Sequence, residues 1–229
     1  MSARAIAVVT GASRGIGRAI AKRLAASYEV VALARTRHDL EELAREIAET
    51  GGRVRPVPCD VSNAADVERA LTGVEADVLI NNAGTGPLKP LLDLSLAEWD
   101  RMTAVNFSSL FYVTRVLLPG MIARRSGDII NIGSIAGRNT FVGGTCYAAT
   151  KHAVNAFTES LMLEVRHSNV RVAVVSPGSV DTAFSTRHGD TSWMITPDEV
   201  ADAVAYLLET SRRILVSRVE MRPSMPPKK

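Results

Sequence analysis

Tyr147 and Lys151 stand four residues apart in Tyr147-Ala-Ala-Thr-Lys151-His-Ala-Val-Asn-Ala-Phe, a run of good helix formers. On a helix, that spacing brings a phenol and an ammonium onto one face, a single turn apart. A free tyrosine ionises near pH ~10, and a neighbouring cation favours the phenolate, so the pair predicts a phenol that trades protons at neutral pH. Tyr147 is the candidate acid/base. Any helix surface can carry Tyr-x-x-x-Lys by chance, so its meaning depends on the rest of the chain.

A second constellation lies near the N-terminus. Gly11, Gly15 and Gly17 occur in Thr10-Gly-Ala-Ser-Arg-Gly-Ile-Gly17, between an apolar run at 6–9 and a helical pattern at 18–26. Strand, glycine turn and helix in that order let a backbone approach a pyrophosphate, whose charge the amides and dipole of the helix start can meet. The spacing is Gly-x-x-x-Gly-x-Gly rather than the commoner Gly-x-Gly-x-x-Gly. Dinucleotide folds place an acid about twenty residues further on to hold the ribose 2′-hydroxyl. Here the second strand ends Leu33-Ala34-Arg35-Thr36-Arg37, without an acid. A guanidinium at that place suits a 2′-phosphate, and Arg14 in the glycine turn reaches the same region, so the expected cofactor is NADP(H) rather than NAD(H).

Such residues need elements to hold them. Apolar runs at 6–9, 30–34, 53–57, 77–80, 128–132, 170–175 and 214–216 alternate with helical patterns at 18–26, 39–49, 65–71, 96–122, around Tyr147 and Lys151, and at 197–208. Strands apolar on both faces and separated by helices predict a doubly wound α/β fold with a parallel sheet covered on both sides. Ligands bind beyond the carboxyl ends of such strands, and each motif follows a strand. No linker, repeat or charge block interrupts the 229 residues, 46% of them hydrophobic, so one domain is expected over 1–218, with an extended or disordered Pro-rich tail at 219–229. The 27 basic and 24 acidic residues are interspersed, for a net charge of +3, which argues against a nucleic-acid partner. Cys59 and Cys146 make neither a disulfide framework nor a zinc site, and no metal is expected. No signal-peptide layout and no apolar run of spanning length is apparent, so no membrane association and a cytoplasmic location are expected.

Taken together, the ordered motifs resemble the short-chain dehydrogenases/reductases in their single-domain form. They are Thr10–Gly17, Asp60-Val61, Asn81-Asn-Ala-Gly84, Asn106, Ser134, Tyr147, Lys151 and Pro177-Gly178, and they cover nearly the whole chain. The resemblance implies a Rossmann fold and a catalytic set of Asn106, Ser134, Tyr147 and Lys151. It implies cofactor contacts from Gly11, Ser13, Arg14, Gly15, Ile16, Gly17 and Arg35, from Asp60 and Val61 at the adenine, and from Asn82, Ala83 and Gly84 on the adenosine side. Tyr147, Lys151, Pro177, Gly178, Val180 and Thr182 would lie by the nicotinamide and its ribose. Tyr147 would give a proton to a carbonyl oxygen as hydride reaches the carbon, with Ser134 donating to that oxygen, Lys151 lowering the phenol's pKa and Asn106 holding a proton relay.

The substrate is expected against Ser134, Ala136, Tyr147, Gly178 and Phe184, under a polar lid at about 179–196. Phe184, Trp193 and Met194 would form an apolar wall, and Arg138, Arg187 and His188 are candidates to receive an anionic group. Cys146 is expected as a small buried residue at a helix start. Leu110, Val113, Leu117, Phe157 and Leu161 exceed what one sheet-facing stripe needs, so a homodimer through the two long helices, or a homotetramer, is expected. The function expected is NADPH-dependent reduction of a ketone or aldehyde, or the reverse oxidation of a secondary alcohol. A 3-oxoacyl-acyl-carrier-protein reductase is the alternative substrate reading, although the chain lacks the Gly-Gly such relatives carry after the last strand. A non-catalytic NADP(H)-binding sensor or scaffold is the alternative from another class.

Overall fold

Seven parallel strands form one sheet in the order β3-β2-β1-β4-β5-β6-β7. The computed structural model describes residues 4–184 and 189–227. The strands are β1 (Ile6–Thr10), β2 (Glu29–Ala34), β3 (Arg53–Pro58), β4 (Val78–Asn81), β5 (Gly127–Ile132), β6 (Val170–Pro177) and β7 (Arg218–Met221). Helices α1 (Gly15–Leu24), α2 (Arg37–Glu49), α3 (Ala64–Leu71), α4 (Leu96–Thr103), α5 (Ser109–Arg124), α6 (Thr145–Val165) and α7 (Pro197–Glu209) cover both faces. The order reverses between β1 and β4, so the crevice of this doubly wound sheet opens beyond the carboxyl ends of those strands.

Alternation along the strands divides the core. Ala7 and Val9 of β1 and Val30 and Ala32 of β2 pack with α1, α2 and α7. Val8, Val31 and Leu33 point the other way, into a layer with α3, α5 and α6. Beneath the site, Asn81 donates to Asn131 Oδ1 at 2.9 Å and Asn131 donates to Thr158 Oγ1 at 2.9 Å. These buried amides lock β4, β5 and α6 together because each answers another.

Three expectations are corrected. The last strand is Arg218–Met221, not the apolar run 214–216, so residues 219–221 of the expected tail belong to the sheet. An edge strand needs only one apolar face. Val219 and Met221 pack on the first core layer, while Arg218 pairs with Glu159, and Glu220 pairs with Arg138 and Arg222.

The helix expected over 96–122 is α4 and α5 joined by a π-helical stretch, Ala104–Ser108. By length and composition alone the span Leu96–Arg124 would suffice to cross a membrane, but in the fold Val113, Leu117 and Met121 of α5 are buried in the second layer, as in a core helix.

Lastly, Leu110, Val113, Leu117 and Leu161 are buried, and Phe157 packs against them. The fold uses these side chains internally because α5 and α6 bury flanks against each other as well as against the sheet. The exposed apolar groups on these helices are instead Phe111, Ile122 and Leu163.

Candidate active site

β1 delivers Thr10 to the crevice, and the chain turns at Gly11 with φ +65°, a left-handed conformation that favours glycine. The Ala12 N–H donates to the Leu33 carbonyl at 3.0 Å, tying the turn to β2. A Cβ on Gly17 would collide with the Gly11 carbonyl and with Asn82 Nδ2, so only glycine lets α1 start this close to the turn. Asn82 braces the turn by donating to the carbonyls of Thr10 (2.9 Å) and Gly11 (3.2 Å). Thr10 Oγ1 in turn accepts from the Asn82 and Ala83 amides. Gly84 follows, with Asn106 Oδ1 3.8 Å from where its Cβ would stand.

No side chain caps α1 and its first turn holds no acid, which leaves its amides and dipole able to meet an anion. Ser13 uses its carbonyl to accept from Arg18 Nη1, and Ile16 packs on the first core layer. Arg14 and Arg35 are exposed on the turn and just after β2, with no ion pair among the described residues. The open helix end, the close turn and two available guanidiniums fit a dinucleotide bearing an extra phosphate.

Asp60 follows β3. Burial opposes its ionisation, but hydrogen bonds from Ser62 and the guanidinium of Arg101 outweigh that and hold its carboxyl below the usual range. Arg101 Nη1 lies 3.2 Å from Asp60 Oδ2 and 3.1 Å from Ser62 Oγ. Sequence reading missed Arg101, because 41 residues separate it from Asp60. Val61 sends its side chain into the second core layer.

Ser134, Tyr147, Lys151 and Asn106 converge beyond β5. Ser134 is extended and its Oγ accepts the Ala136 N–H at 3.1 Å, within the tight turn Ile135–Gly137 that buries Ala136. Ser134 also faces Tyr147 closely enough to favour the phenolate and draw that phenol's pKa down somewhat. With one acceptor position of Ser134 held by a backbone amide, its proton is left to donate.

Lys151 is one turn further along α6, buried, and donates to the Ile132 carbonyl at 2.9 Å, with Nζ 5.8 Å from the Tyr147 ring centroid. The expected acidification of the phenol is not found here: burial raises the Tyr147 pKa, and the Ser134 hydrogen bond only partly offsets it. Burial also lowers Lys151 to about 8. Both shifts have one cause, since desolvation favours the neutral form of each group.

Asn106 sits in the π-helical stretch and is 1% exposed. Its Oδ1 accepts the Thr85 N–H and its Nδ2 donates to the Thr85 carbonyl, both at 2.8 Å. A third hydrogen bond reaches Thr150 Oγ1 at 3.3 Å. Cys146 is buried and its thiol pKa is raised by burial.

On the far side, Pro177 ends β6 and the Gly178 N–H donates to the Met221 carbonyl at 2.8 Å. Val180 pairs with Ile195, and Thr182 Cγ2 lies 3.3 Å from where a Cβ on Gly15 would stand, so this segment returns over the glycine turn. Phe184 lies against Tyr147, ring centroids 5.5 Å apart and planes inclined by 44°. Met194 is buried, and the Trp193 indole donates to the Asp190 carbonyl. Arg138 is exposed and lies 3.7 Å from Glu220. Arg187 and His188 lie outside the described residues.

A parallel sheet with a glycine turn after its first strand and a serine, tyrosine and lysine gathered beyond its fifth defines a short-chain oxidoreductase. The chain belongs to the short-chain dehydrogenase/reductase family: the short chain dehydrogenase profile matches residues 5–193. It is 35% identical to an uncharacterized oxidoreductase of Staphylococcus aureus, over 95% of this chain and 96% of that one. It is also 35% identical to the NADP-dependent 3-hydroxy acid dehydrogenase of Salmonella typhi, over 95% of this chain and 94% of the relative. A crystal structure of a metagenomic short-chain oxidoreductase in complex with NADP superposes with a TM-score of 0.86 at 38% identity, covering 97% of this chain and 99% of the other.

Proposed function

We propose that the protein is an NADPH-dependent carbonyl reductase that also runs in reverse as an alcohol dehydrogenase. The observation that carries this reading is Tyr147, whose phenol keeps its proton at neutral pH, with Ser134 beside it and the buried Lys151 one turn along α6. A pure nucleotide binder has no use for a half-buried proton donor there.

When bound, NADPH supplies the hydride that the carbonyl carbon receives. Tyr147 gives its proton to the carbonyl oxygen, so the C=O bond becomes an alcohol and a phenolate remains. Ser134 donates to the same oxygen and stabilises the charge developing there. The Lys151 ammonium, 5.8 Å from the Tyr147 ring centroid, would favour the phenolate once it forms. Asn106 holds the π-helical stretch to Thr85 on the chain leaving β4 and would align the relay to solvent. Gly11, Gly15 and Gly17, with the open end of α1, would receive the pyrophosphate. Arg14 and Arg35 would take the 2′-phosphate, Asp60 the adenine, and Pro177 to Thr182 the nicotinamide end. The NADP complex of the metagenomic relative supports this choice of cofactor. A cytoplasmic homodimer using the exposed Phe111, Ile122 and Leu163 of α5 and α6 completes the proposal.

The experiment is to incubate the protein with NADPH and a panel of ketones, β-ketoesters and diketones, and to follow loss of the reduced cofactor. Turnover of at least one class is expected. Tight cofactor binding with no oxidation across the panel would favour the sensor or scaffold reading.

A further inference from the structure

Gly86 has no counterpart among the residues assigned above, yet it touches the candidate proton donor. A Cβ placed on it would stand 3.1 Å from Tyr147 Cδ2 and 3.2 Å from Phe184 Cζ. Both contacts are tighter than ordinary van der Waals approach, so one neighbour would have to give way. Tyr147 is held within the long helix α6. Phe184 is 40% exposed and is the freer of the two. A side chain at Gly86 would press on both rings, and the Phe184 ring is the one free to shift.

We propose that Gly86 and Phe184 form a specificity wall beside Tyr147, selecting ketones with an apolar, flat substituent on the carbonyl carbon over short oxo acids. This rests on the carbonyl-reductase reading. A carbonyl oxygen meeting Tyr147 and Ser134 would bring its substituents beside the Tyr147 ring, which the Phe184 ring approaches to 5.5 Å between centroids. An aryl or alkyl group gains dispersion and stacking there, whereas a carboxylate loses hydration against a ring. Among the described residues, Lys89 and Arg138 on the flanking loops each have an acidic partner. Lys89 is paired with Glu98, whose carboxyl that contact and Ser95 hold down at about 2, and Arg138 is paired with Glu220. Exposed Phe141 and Val142 continue the apolar character on the loop whose Gly143 abuts the Lys89 backbone.

The test compares kcat/KM for acetophenone, 2-butanone and acetoacetate in the full-length wild type, Phe184→Ala, Gly86→Ala and the double variant, with NADPH affinity measured in each. The wild type is expected to prefer acetophenone to acetoacetate by at least about tenfold. Phe184→Ala should lower the acetophenone-to-butanone ratio by about tenfold, chiefly through KM, the size of one lost apolar contact in a pocket. Gly86→Ala should lower the same ratio, and the double variant should add nothing further, because the new methyl acts by displacing Phe184. A ratio unmoved by Phe184→Ala, a wild-type preference for acetoacetate, or additive effects would overturn the wall while leaving a carbonyl reductase. NADPH binding without reduction of any ketone would overturn the reductase reading, and the wall with it.

Discussion

Asn106 and Thr85 are joined by a two-point clamp, the amide side chain of one meeting both the N–H and the carbonyl of the other at 2.8 Å. The clamp fastens the π-helical stretch to the chain leaving β4. That chain carries Gly84 and, one residue past Thr85, the Gly86 that touches Tyr147. A π-helical insertion rotates the following side chains relative to an unbroken α-helix, which is one way a long helix aims a single polar group into a site.

Asn106→Ala should therefore destabilise the protein by about 1–3 kcal/mol, since part-buried backbone groups lose their partners. By the scaling of roughly 2–4 °C per kcal/mol, Tm should drop by several degrees. Asn106→Asp keeps the acceptor for the Thr85 N–H but sets a buried carboxylate against the Thr85 carbonyl, and should be no more stable than the Ala variant in thermal denaturation. An Ala variant as stable as wild type would remove the clamp from its structural role.

Tyr147→Phe removes only a hydroxyl. Reductase kcat should fall by about 10²–10⁴-fold, the range a positioned proton donor supplies, while the NADPH dissociation constant, read by fluorescence titration, should stay within about threefold. Retained turnover would take Tyr147 out of the mechanism.

The raised pKa of Tyr147 sets the sign of the pH dependence. Reduction needs the phenol and oxidation needs the phenolate. Kcat/KM for ketone reduction should stay level through neutral pH and decline only under alkaline conditions, while alcohol oxidation should climb with pH over the same range. Profiles measured in both directions check this, because kcat/KM reports the groups of the free enzyme. An oxidation rate that is already level at neutral pH would contradict it.

Lys151 makes a separate prediction about stability. Its folded-state pKa of about 8 lies below the ordinary lysine value of about 10.4. Between those values the unfolded chain binds more protons than the folded one, so this group's contribution to stability rises with pH across the window. Cys59, pushed up to about 12 by burial first and by Asp66 and Asp60 next, holds its proton when folded and works in the opposite direction. The comparison with Lys151→Met cancels that common term. The wild type should gain on the variant as pH rises from about 8 to about 10 in chemical denaturation, and parallel stability curves would refute it.

Cofactor choice should yield to two changes after β2. Ala34→Asp combined with Arg35→Ser places an acid where a ribose 2′-hydroxyl would bind and removes a guanidinium suited to a phosphate, so the NADPH/NADH ratio of kcat/KM should shift toward NADH by at least about tenfold. A wild type that already prefers NADH would contradict the role given to Arg35.

The parts of this molecule that were legible in one dimension are those whose physics is local. The passage from β1 through the glycine turn into α1, the alternation of apolar strands with helices, and the placing of Tyr147 and Lys151 one turn apart all follow from backbone geometry over a few residues. Tertiary structure decided the remainder. Spacing put an ammonium near a phenol, but packing buried Lys151 and half-buried Tyr147, and desolvation rather than their attraction set the direction of each pKa. Leu110 and Leu161 read as surplus surface until α5 and α6 closed on each other. An edge position let the alternating Arg218–Met221 form the last strand instead of the more apolar 214–216. Arg101 beside Asp60, Asn106 on Thr85 and Phe184 over Gly86 join residues far apart in the chain, and such contacts exist only once the sheet has fixed where its loops emerge.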